Sequence, residues 1–363
     1  MPQRARPQLS SDRTPAEGTP RSVPDLGEVR IGPLRPVAAL LREHGVDPAK
    51  VLAACGLPPV TFGDADRRIP FRTAACLLQQ TAWTLRCPDF GLRVGARLEF
   101  ADLGLLGLLA QRAPTVGGAL DSLVRFFHLQ DRGSVLYLNR PDDGLAAFGY
   151  AILDADTPGI GLAYDTVIAM VMTALRGLCG PSFQAAEVHL AHAAPADTAP
   201  YRRFFAAPTV FDAPHCEIRF DAKWLHAPSA GADAIAHAAA QRAVREAAAG
   251  NGRRLIEAVR GVVRAQVMSG SPSGPVVAAA LGLHERTLRR RLDAEGSSLQ
   301  RLVAEARFDI ARQLLRETRL PLQEVGAALG YTEAASFVRA FRGWAGVTPG
   351  RWRARAVSVS GRP

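Results

Sequence analysis

The 363-residue sequence predicts two domains of different class, an α+β N-terminal domain followed by an all-α C-terminal domain. Single hydrophobic cores rarely grow beyond about 250 to 300 residues, so a chain of this length is expected to divide. Strand patterns occur only before residue 230, whereas the segments after residue 253 all have apolar residues at helical spacing. The hydrophobic fraction of 48% is that of a globular protein, so both cores are expected to form without disulfides.

Changes in composition set the expected domain limits. Proline, arginine and serine dominate residues 1–24, which we expect to be a flexible tail. Residues 25–230 form the predicted N-terminal domain, and the alanine-rich stretch 231–252, which ends in Ala-Gly-Asn-Gly, is the predicted linker helix. The C-terminal domain then covers residues 253–353 and leaves 354–363 as a second tail.

The N-terminal domain alternates between helical and extended patterns. Residues 134–139 and 146–153 alternate in polarity, and the turn Pro141-Asp142-Asp143-Gly144 between them predicts a hairpin. The long, almost uncharged stretch 160–178 predicts a helix. Further helices are expected at 71–85, 104–112 and 115–128, the last capped by Thr115, and further strands at 187–191 and 216–220.

Charge divides the chain in the same way. The formal net charge of +10 lies entirely in residues 251–363, which hold 19 arginines and nine acidic residues, whereas residues 1–250 carry 25 charges of each sign. A basic domain beside a neutral one predicts a polyanionic partner, because phosphate neutralisation supplies most non-specific affinity for nucleic acids. A GC-rich genome would explain the choice of arginine but not its placement.

Signals for export or membrane insertion are missing from the sequence. The five cysteines have no CxxC spacing, so we expect free thiols in a reducing cytoplasm. We expect no signal peptide, and no apolar run near the roughly 18 residues that a membrane span requires. These expectations place the protein in the cytoplasm, away from membranes.

Motifs for catalysis or for binding a cofactor are also missing. The sequence has no P-loop, no G-x-S-x-G elbow and no zincin motif, so we expect neither enzymatic activity nor a cofactor. His189 and His192 have H-x-x-H spacing in a predicted strand, where they would point to opposite faces. We therefore expect structural histidines and no metal site.

Residues 276–292, VVAAALGLHERTLRRRL, predict a first helix-turn-helix unit. A short apolar helix ends at Gly282, and the next helix carries four arginines. At helical spacing Arg286, Arg289 and Arg290 share one face, opposite two leucines. Since arginine binds guanine O6 and N7 together, this face is a candidate reading edge. The alternative is a solvated basic helix face.

Residues 322–353 predict a second unit, in which Gly330 forms the turn and Thr332 caps the following helix. Phe337 and Phe341 lie four residues apart and are expected to be core anchors. The opposite face would present small side chains, which let a helix approach thymine methyls. Outward-facing positions are Ala334, Ala335, Val338 and Arg339, and Ser336 and Arg342 suit phosphate contacts.

A long helix over residues 298–317 is expected to connect the two units. Ser297 and Gln300 have the spacing of a capping box at its start. The helix has one apolar stripe, formed by Leu299, Leu302, Val303, Ala306, Ile310 and Leu314.

The spans ALGLHERTLRRRL, EARFDIARQLL and ALGYTEAASFVRAFRGWAGVTPGRWR together resemble the DNA-binding domain of the AraC/XylS family over about 100 residues. The terminal GYxxxxSFxRAFxxWxGxTPxxxR pattern is the most specific part. The resemblance implies double-stranded DNA as the partner, with two recognition helices in adjacent major-groove segments about 34 Å apart. It also implies RNA polymerase as a partner and a homodimer. By motif position it implies that the base readers are Arg286, Arg289, Arg290, Ala334, Ala335 and Arg339.

Three residues depart from the pattern of that family. His284 replaces the usual hydroxyl residue before the first recognition helix and is expected to weaken its N-cap. Gly326 replaces a common alanine and costs up to about 1 kcal/mol of helix propensity. Val338 brings an apolar group to the reading face. The arginines of the first unit are therefore the stronger candidates.

The first 225 residues resemble the N-terminal regulatory domain of one branch of the family, the branch named for arabinose binding. The resemblance rests on RIPFRTAACLL, DLGLLGLL and HLAHAAPADTAPYRRFFAAPTVFDAP. It implies effector sensing and dimerisation, but the small-molecule effector stays unknown. Polar residues weighed for a pocket, each better explained by a role in the core, are His128, Tyr137, Tyr164, Asp165 and Tyr201.

Two other functions stay open from the sequence. One is a ligand-independent activator whose N-terminal domain only dimerises. The other is an alkyl-repair methyltransferase of the Ada type, which needs a metal-bound acceptor cysteine in a P-C-H-R site. The nearest string here, Pro214-His215-Cys216-Glu217, has the inverted order. Operator sequence, target genes and the choice between activation and repression are not encoded in any recognisable pattern.

Overall fold

The computed structural model describes residues 27–140, 144–154, 156–250, 255–269, 272–281 and 283–360. The expected tail at residues 1–24, three of the four residues of the predicted hairpin turn, and Gly282 lie outside these ranges. Within them, the strands are β1 (Glu28–Arg30), β2 (Arg68–Pro70), β3 (Ser134–Asn139), β4 (Leu145–Ile152), β5 (Glu187–His189), β6 (Thr209–Val210) and β7 (Cys216–Asp221).

Helices cover most of the remaining described chain. Before residue 251 they are α1 (Pro36–Glu43), α2 (Pro48–Ala54), α3 (Phe71–Leu85), α4 (Phe90–Gly95), α5 (Gly104–Gln111), α6 (Val116–Phe126), α7 (Ile160–Cys179), α8 (Ala199–Phe205) and α9 (Ala234–Gly250). After it they are α10 (Leu255–Ser269), α11 (Gly274–Ala280), α12 (Glu285–Ala294), α13 (Leu299–Glu317), α14 (Leu322–Ala328), α15 (Ala334–Ala345) and α16 (Pro349–Ser360).

The N-terminal domain is built on a five-stranded sheet with the order β3-β4-β7-β5-β6. All neighbours are antiparallel except β5 and β6, and the pairing of β3 with β4 confirms the predicted hairpin. Gly149 of β4 lies opposite Tyr137, and a Cβ atom there would come within 2.1 Å of the tyrosine ring. Glycine is therefore required for the ring to lie across the strand.

Helix α7 is the central helix of the N-terminal core. Helix α4 packs closely against it because Gly91 and Gly95 lack side chains: a Cβ at Gly95 would lie 2.2 Å from the carbonyl oxygen of Thr166. By length and composition α7 could cross a membrane, so the expectation that no run approaches this length was wrong. Most of α7 is buried in the protein, as befits a core helix.

One local expectation for this domain is confirmed, and one is wrong. Thr115 caps α6 through its Oγ1, which accepts from the amide nitrogen of Gly118 at 3.1 Å. Strand β5 ends at His189, so His192 lies beyond it and the argument from opposite strand faces does not apply. Each histidine instead contacts a carboxylate. His189 lies against Glu187, and His192 lies against Asp165.

Helices α10, α14, α15 and α16 pack against α13, and no strand occurs among the described residues after 255. The cap of α13 lies one residue later than predicted: Ser298 Oγ accepts from the amide of Arg301 at 3.2 Å, so the expected box of Ser297 with Gln300 is wrong. Of the predicted stripe, four residues are fully buried and two are half-buried. Helix α16 continues to Ser360, beyond the expected domain end at Arg353.

The two domains pack against each other through α10 and α13. Arg264 of α10 is only 2% exposed; its Nη2 donates to Gln313 Oε1 at 2.9 Å and its Nη1 donates to the carbonyl oxygen of Leu153 at 3.3 Å. The amide of Ala193 also donates to the carbonyl oxygen of Glu317 at 2.9 Å. Helix α10, which the sequence assigns to the C-terminal domain, thus contacts both domains.

Candidate nucleic-acid interface

Helices α11 and α12 form the first helix-turn-helix unit. Val277 of α11 and Leu288 and Leu292 of α12 are buried, because they occupy one apolar face of each helix. Burying that face turns the opposite face of α12 outward. The second helix of the pair is therefore a rigid, exposed edge.

The predicted reading arginines lie on this exposed edge. Arg286, Arg289 and Arg290 are all solvent-exposed. None of them forms a salt bridge or a side-chain hydrogen bond within the part of the chain that the structure describes. Their guanidinium groups, which stay charged at physiological pH, are thus available to an external partner.

His284 caps α12 despite the expectation that it would weaken the cap. Its Nδ1 accepts a hydrogen bond from the amide nitrogen of Arg286 at 3.3 Å. This contact requires the tautomer in which Nδ1 carries no proton. The imidazole thus takes the role of the usual hydroxyl, although the bond is long for an N-cap.

Helices α14 and α15 form the second unit, with Gly330 at the turn in the left-handed region (φ +80°). Gly326 is buried against α15, where an added Cβ would lie 3.1 Å from the Cβ of Phe337. The glycine expected to cost helix propensity therefore brings the two helices close together. Thr332 does not cap α15: the N-cap residue is Glu333, and no side chain caps the helix.

An aromatic cluster fixes the second recognition helix to α13. Phe337 and Phe341 are fully buried, as predicted, and their rings meet edge to face. The ring centroid of Phe341 lies 5.5 Å from that of Phe308 in α13 and 5.9 Å from that of Trp352 in α16. The first unit packs instead on α10, which itself packs along α13. The two recognition helices are thus held by two adjoining helices.

The outer face of α15 is smaller and less basic than that of α12. Ala335, Arg339 and Arg342 are exposed, whereas Ala334 and Ser336 are half-buried. Arg339 Nη2 donates to Ser336 Oγ at 3.0 Å, so these two side chains lie together on the surface. Val338, noted as a departure from the family pattern, is half-buried beside them.

The polar residues weighed for a pocket in the N-terminal domain are engaged in its core. Tyr137 donates to Glu217 at 3.2 Å, and Tyr201 donates to Asp165 at 2.7 Å. Tyr164 accepts from the side-chain nitrogen of Gln313. His128 is half-buried.

An apolar cavity of about 100 Å³ lies elsewhere in the N-terminal domain. None of the five weighed residues lines it. Its walls come from α3, α5, α6, α7 and the first two strands of the sheet. Four lining residues carry polar side-chain atoms: Gln130, Asp131, Tyr150 and Thr166. The sequence offered only a weak sign of this site, the adjacent Gln-Asp pair that follows α6.

Cys216 is unsuited to accept an alkyl group. The thiol is 1% exposed, and its Sγ accepts from the amide nitrogen of Ala191 at 3.0 Å. Burial raises its pKa well above the ordinary value, which suppresses the nucleophilic thiolate. Among the described residues there is no group of three or more potential metal ligands around it.

Residues 45–229 match the family described as the arabinose-binding domain of AraC transcription regulators, N-terminal, and residues 277–355 match a helix-turn-helix domain. The chain belongs to the AraC family of transcription regulators. It is accordingly a DNA-binding regulator with an N-terminal domain of the ligand-binding type, and not an enzyme.

Relatives of this AraC-family chain match it along most of their length. The HTH-type transcriptional regulator VirS of Mycobacterium tuberculosis is 29% identical over 324 residues, 89% of this chain and 95% of VirS. The ornithine utilization regulator of Pseudomonas aeruginosa is 25% identical over 327 residues, 86% of this chain and 93% of that protein. The crystal structure of the regulator CdpR from Pseudomonas aeruginosa has 24% identity and a TM-score of 0.47, covering 89% of this chain and 98% of CdpR.

Proposed function

We propose that this AraC-family regulator reads its operator mainly through α12. The observation that carries the proposal is the exposed face of Arg286, Arg289 and Arg290, three permanent charges without partners among the described residues. Arginine is the side chain best suited to guanine in the major groove. In the second unit we propose base contacts from Ala334, Ala335 and Arg339, and phosphate contacts from Ser336 and Arg342.

We propose that a small-molecule effector bound by the N-terminal domain controls this DNA binding. A continuous series of contacts supports the proposal. Tyr150, which lines the apolar cavity, meets Tyr164 edge to face with ring centroids 5.8 Å apart. The hydroxyl of Tyr164 accepts from Gln313 of α13, and Gln313 in turn accepts from Arg264. A ligand that moves Tyr150 would therefore act on α13, which packs against the second unit, and through Arg264 on α10, which packs against the first.

The proposed regulator acts in the cytoplasm as a homodimer that recruits RNA polymerase. Support for activation comes from the transcriptional activator NphR of Rhodococcus, which is 34% identical over 77 residues, 21% of this chain. The ligand-independent version, in which the N-terminal domain only dimerises, predicts that no metabolite changes operator affinity.

Recovery of bound genomic fragments with the full-length protein tests the proposed function and supplies an operator. Competition between that operator and random duplex for binding to each variant then tests the proposed base-contacting residues. Arg290→Ala should lose about 1–3 kcal/mol of sequence preference, because one bidentate guanine contact disappears. The matched control is Arg291→Ala, an equally exposed arginine of α12 that points away from the reading face. Equal loss on operator and random duplex for both variants would refute the assigned roles.

A further inference from the structure

The apolar cavity has a wall chemistry that restricts its ligand. Most lining side chains are aliphatic or aromatic, such as Leu78, Leu106, Phe148 and Met170. A cavity of about 100 Å³ is of the size that accommodates a single small ring, because an apolar cavity of about 150 Å³ binds benzene. The favoured ligand is therefore small and mostly apolar.

Gln130 supplies one unused hydrogen-bond donor at this cavity. Its side chain lines the cavity, and the residue is 3% exposed. Its Oε1 accepts from Arg30 Nη1 at 2.7 Å, whereas its buried Nε2 has no partner in the described part of the chain. Because a guanidinium group can only donate, Arg30 fixes the amide orientation and keeps the oxygen on its own side. A buried donor without a partner costs about 1–3 kcal/mol, so it favours a ligand that satisfies it.

The other polar groups of the cavity are already engaged. Asp131 accepts from the amide of Gly133 at 2.7 Å, from Ser134 and from Tyr150 at 3.2 Å. Thr166 donates to the carbonyl oxygen of Leu162 at 2.8 Å. Burial raises the pKa of Asp131 to about 6, so its carboxylate is largely ionised at pH 7 and disfavours an anionic ligand.

These groups do not suit a pentose. A sugar of that size would bring several hydroxyl groups into the cavity, whereas among the described residues that line it only Gln130 Nε2 is a buried side-chain nitrogen or oxygen without a partner. Hydroxyl groups left without partners in an apolar site oppose binding. The description of the matched family, which names arabinose, therefore does not fit the chemistry of this cavity.

We propose that the cavity binds a small, neutral, mostly apolar molecule with a single hydrogen-bond acceptor. That acceptor receives a hydrogen bond that Gln130 Nε2 donates. The proposal rests on the proposed effector control and names the chemical class of the effector. Ligands of this class include small aromatic heterocycles, ketones and esters.

Benzene and pyridine test the proposal as probes, since they have the same size and differ in one acceptor nitrogen. Their dissociation constants are measured by NMR titration of the full-length protein at about pH 7.5, with L-arabinose and benzoate as further probes. Both rings should bind, and the sugar and the anion should not. Absence of binding by both rings, or tighter binding of L-arabinose, would overturn the proposal.

Gln130→Leu removes the donor and keeps the volume of the side chain. The substitution should weaken the binding of pyridine up to about tenfold relative to that of benzene, the fold-change expected for one hydrogen bond. Gln300→Leu, the same replacement at an exposed position of α13, should leave both constants unchanged. Ala174→Leu should fill the cavity and abolish the binding of both rings. An unaltered pyridine-to-benzene ratio in folded Gln130→Leu protein would contradict the assigned donor.

Measuring the affinity for the operator with and without ligand distinguishes a failure of this cavity assignment from a failure of effector control. If pyridine binds through Gln130 but operator affinity does not change at saturation, the cavity assignment stands and control through it fails. If a metabolite alters operator affinity equally in wild type and in Ala174→Leu, effector control stands and the cavity assignment is wrong.

Discussion

Arginines in two regions of this regulator have opposite surroundings. At the domain contact, Arg264 is buried and hydrogen-bonded, and Arg312 and Arg316 both pair with Asp156. On the recognition helices, Arg290 and Arg342 are exposed and have no partner among the described residues. The residue type is the same, and only the environment separates a structural role from a binding role.

The difference follows from the fixed charge of the guanidinium group. A buried arginine cannot become neutral, so the fold must surround it with acceptors. An exposed arginine needs none, and its charge stays available to phosphate or to a base edge. Net charge identifies the basic domain, but the local partners decide which arginines bind DNA.

The largest expected effect is at the buried end of this comparison. Arg264→Ala should lower the free energy of unfolding by about 3 kcal/mol, because two hydrogen bonds of a charged donor and a packed side chain disappear. Urea denaturation measures the change. Arg291→Ala, an exposed arginine, should change stability by less than about 0.5 kcal/mol. Equal effects of the two substitutions would remove the distinction between the regions.

A titrating pair near the domain contact should give the next largest effect. Burial alone lowers the pKa of His192, but the carboxylate of Asp165 at 2.9 Å outweighs it and raises that pKa to about 9. Because this pKa lies above the unfolded value of 6.5, the protonated His192 paired with Asp165 stabilises the folded state. That contribution to the free energy of unfolding is complete below about pH 6.5 and is lost as the pH rises toward 9.

Wild-type protein should therefore lose on the order of 2 kcal/mol of unfolding free energy between about pH 6.5 and 8.5. Over the same range His192→Gln should show a much flatter dependence, because glutamine does not titrate. Arginine contacts do not titrate in this range either. A wild-type profile as flat as that of the variant would show that His192 is not held protonated by Asp165.

A smaller effect is expected at the exposed edge of the domain contact. Asp156→Asn removes the charge that pairs with Arg312 and Arg316. Because Asp156 is 43% exposed, solvent screening limits the loss to about 1 kcal/mol. Thermal unfolding in low and high salt measures it, and the wild type and the variant should converge at high salt. A difference that persists undiminished in high salt would contradict an ion-pair origin.

The sequence predicted the recognition helices well because their determinants are local. The spacing of leucines against arginines in α12, and of Phe337 and Phe341 in α15, is a property of one helix. Cap positions were less accurate, since Ser297 and Ser298 are equivalent in sequence and only the backbone selects the second. Thr332 failed as a cap for the same reason.

Contacts between distant segments could not be predicted. Arg264 meets Leu153, and Gln313 meets Tyr164 across 149 positions, so no pattern within one segment indicates them. The cavity combines four helices and the sheet, and the orientation of the Gln130 amide that lines it is fixed by Arg30, 100 residues away. Gly326 was read as a cost to its helix, because its close neighbour Phe337 belongs to another helix.

The smallest expected effect tests the exposed end of the comparison. Arg342→Ala should weaken binding to all duplexes alike and reduce the slope of log affinity against log salt by about 0.9, the value for one phosphate contact. The free energy of unfolding should not change. Arg316→Ala is the matched control from the domain contact: it should lower stability and leave the salt slope intact, because its charge is already used by Asp156 and Glu317. If Arg316→Ala reduced the salt slope as much as Arg342→Ala, pairing within the protein would not determine which arginines reach DNA.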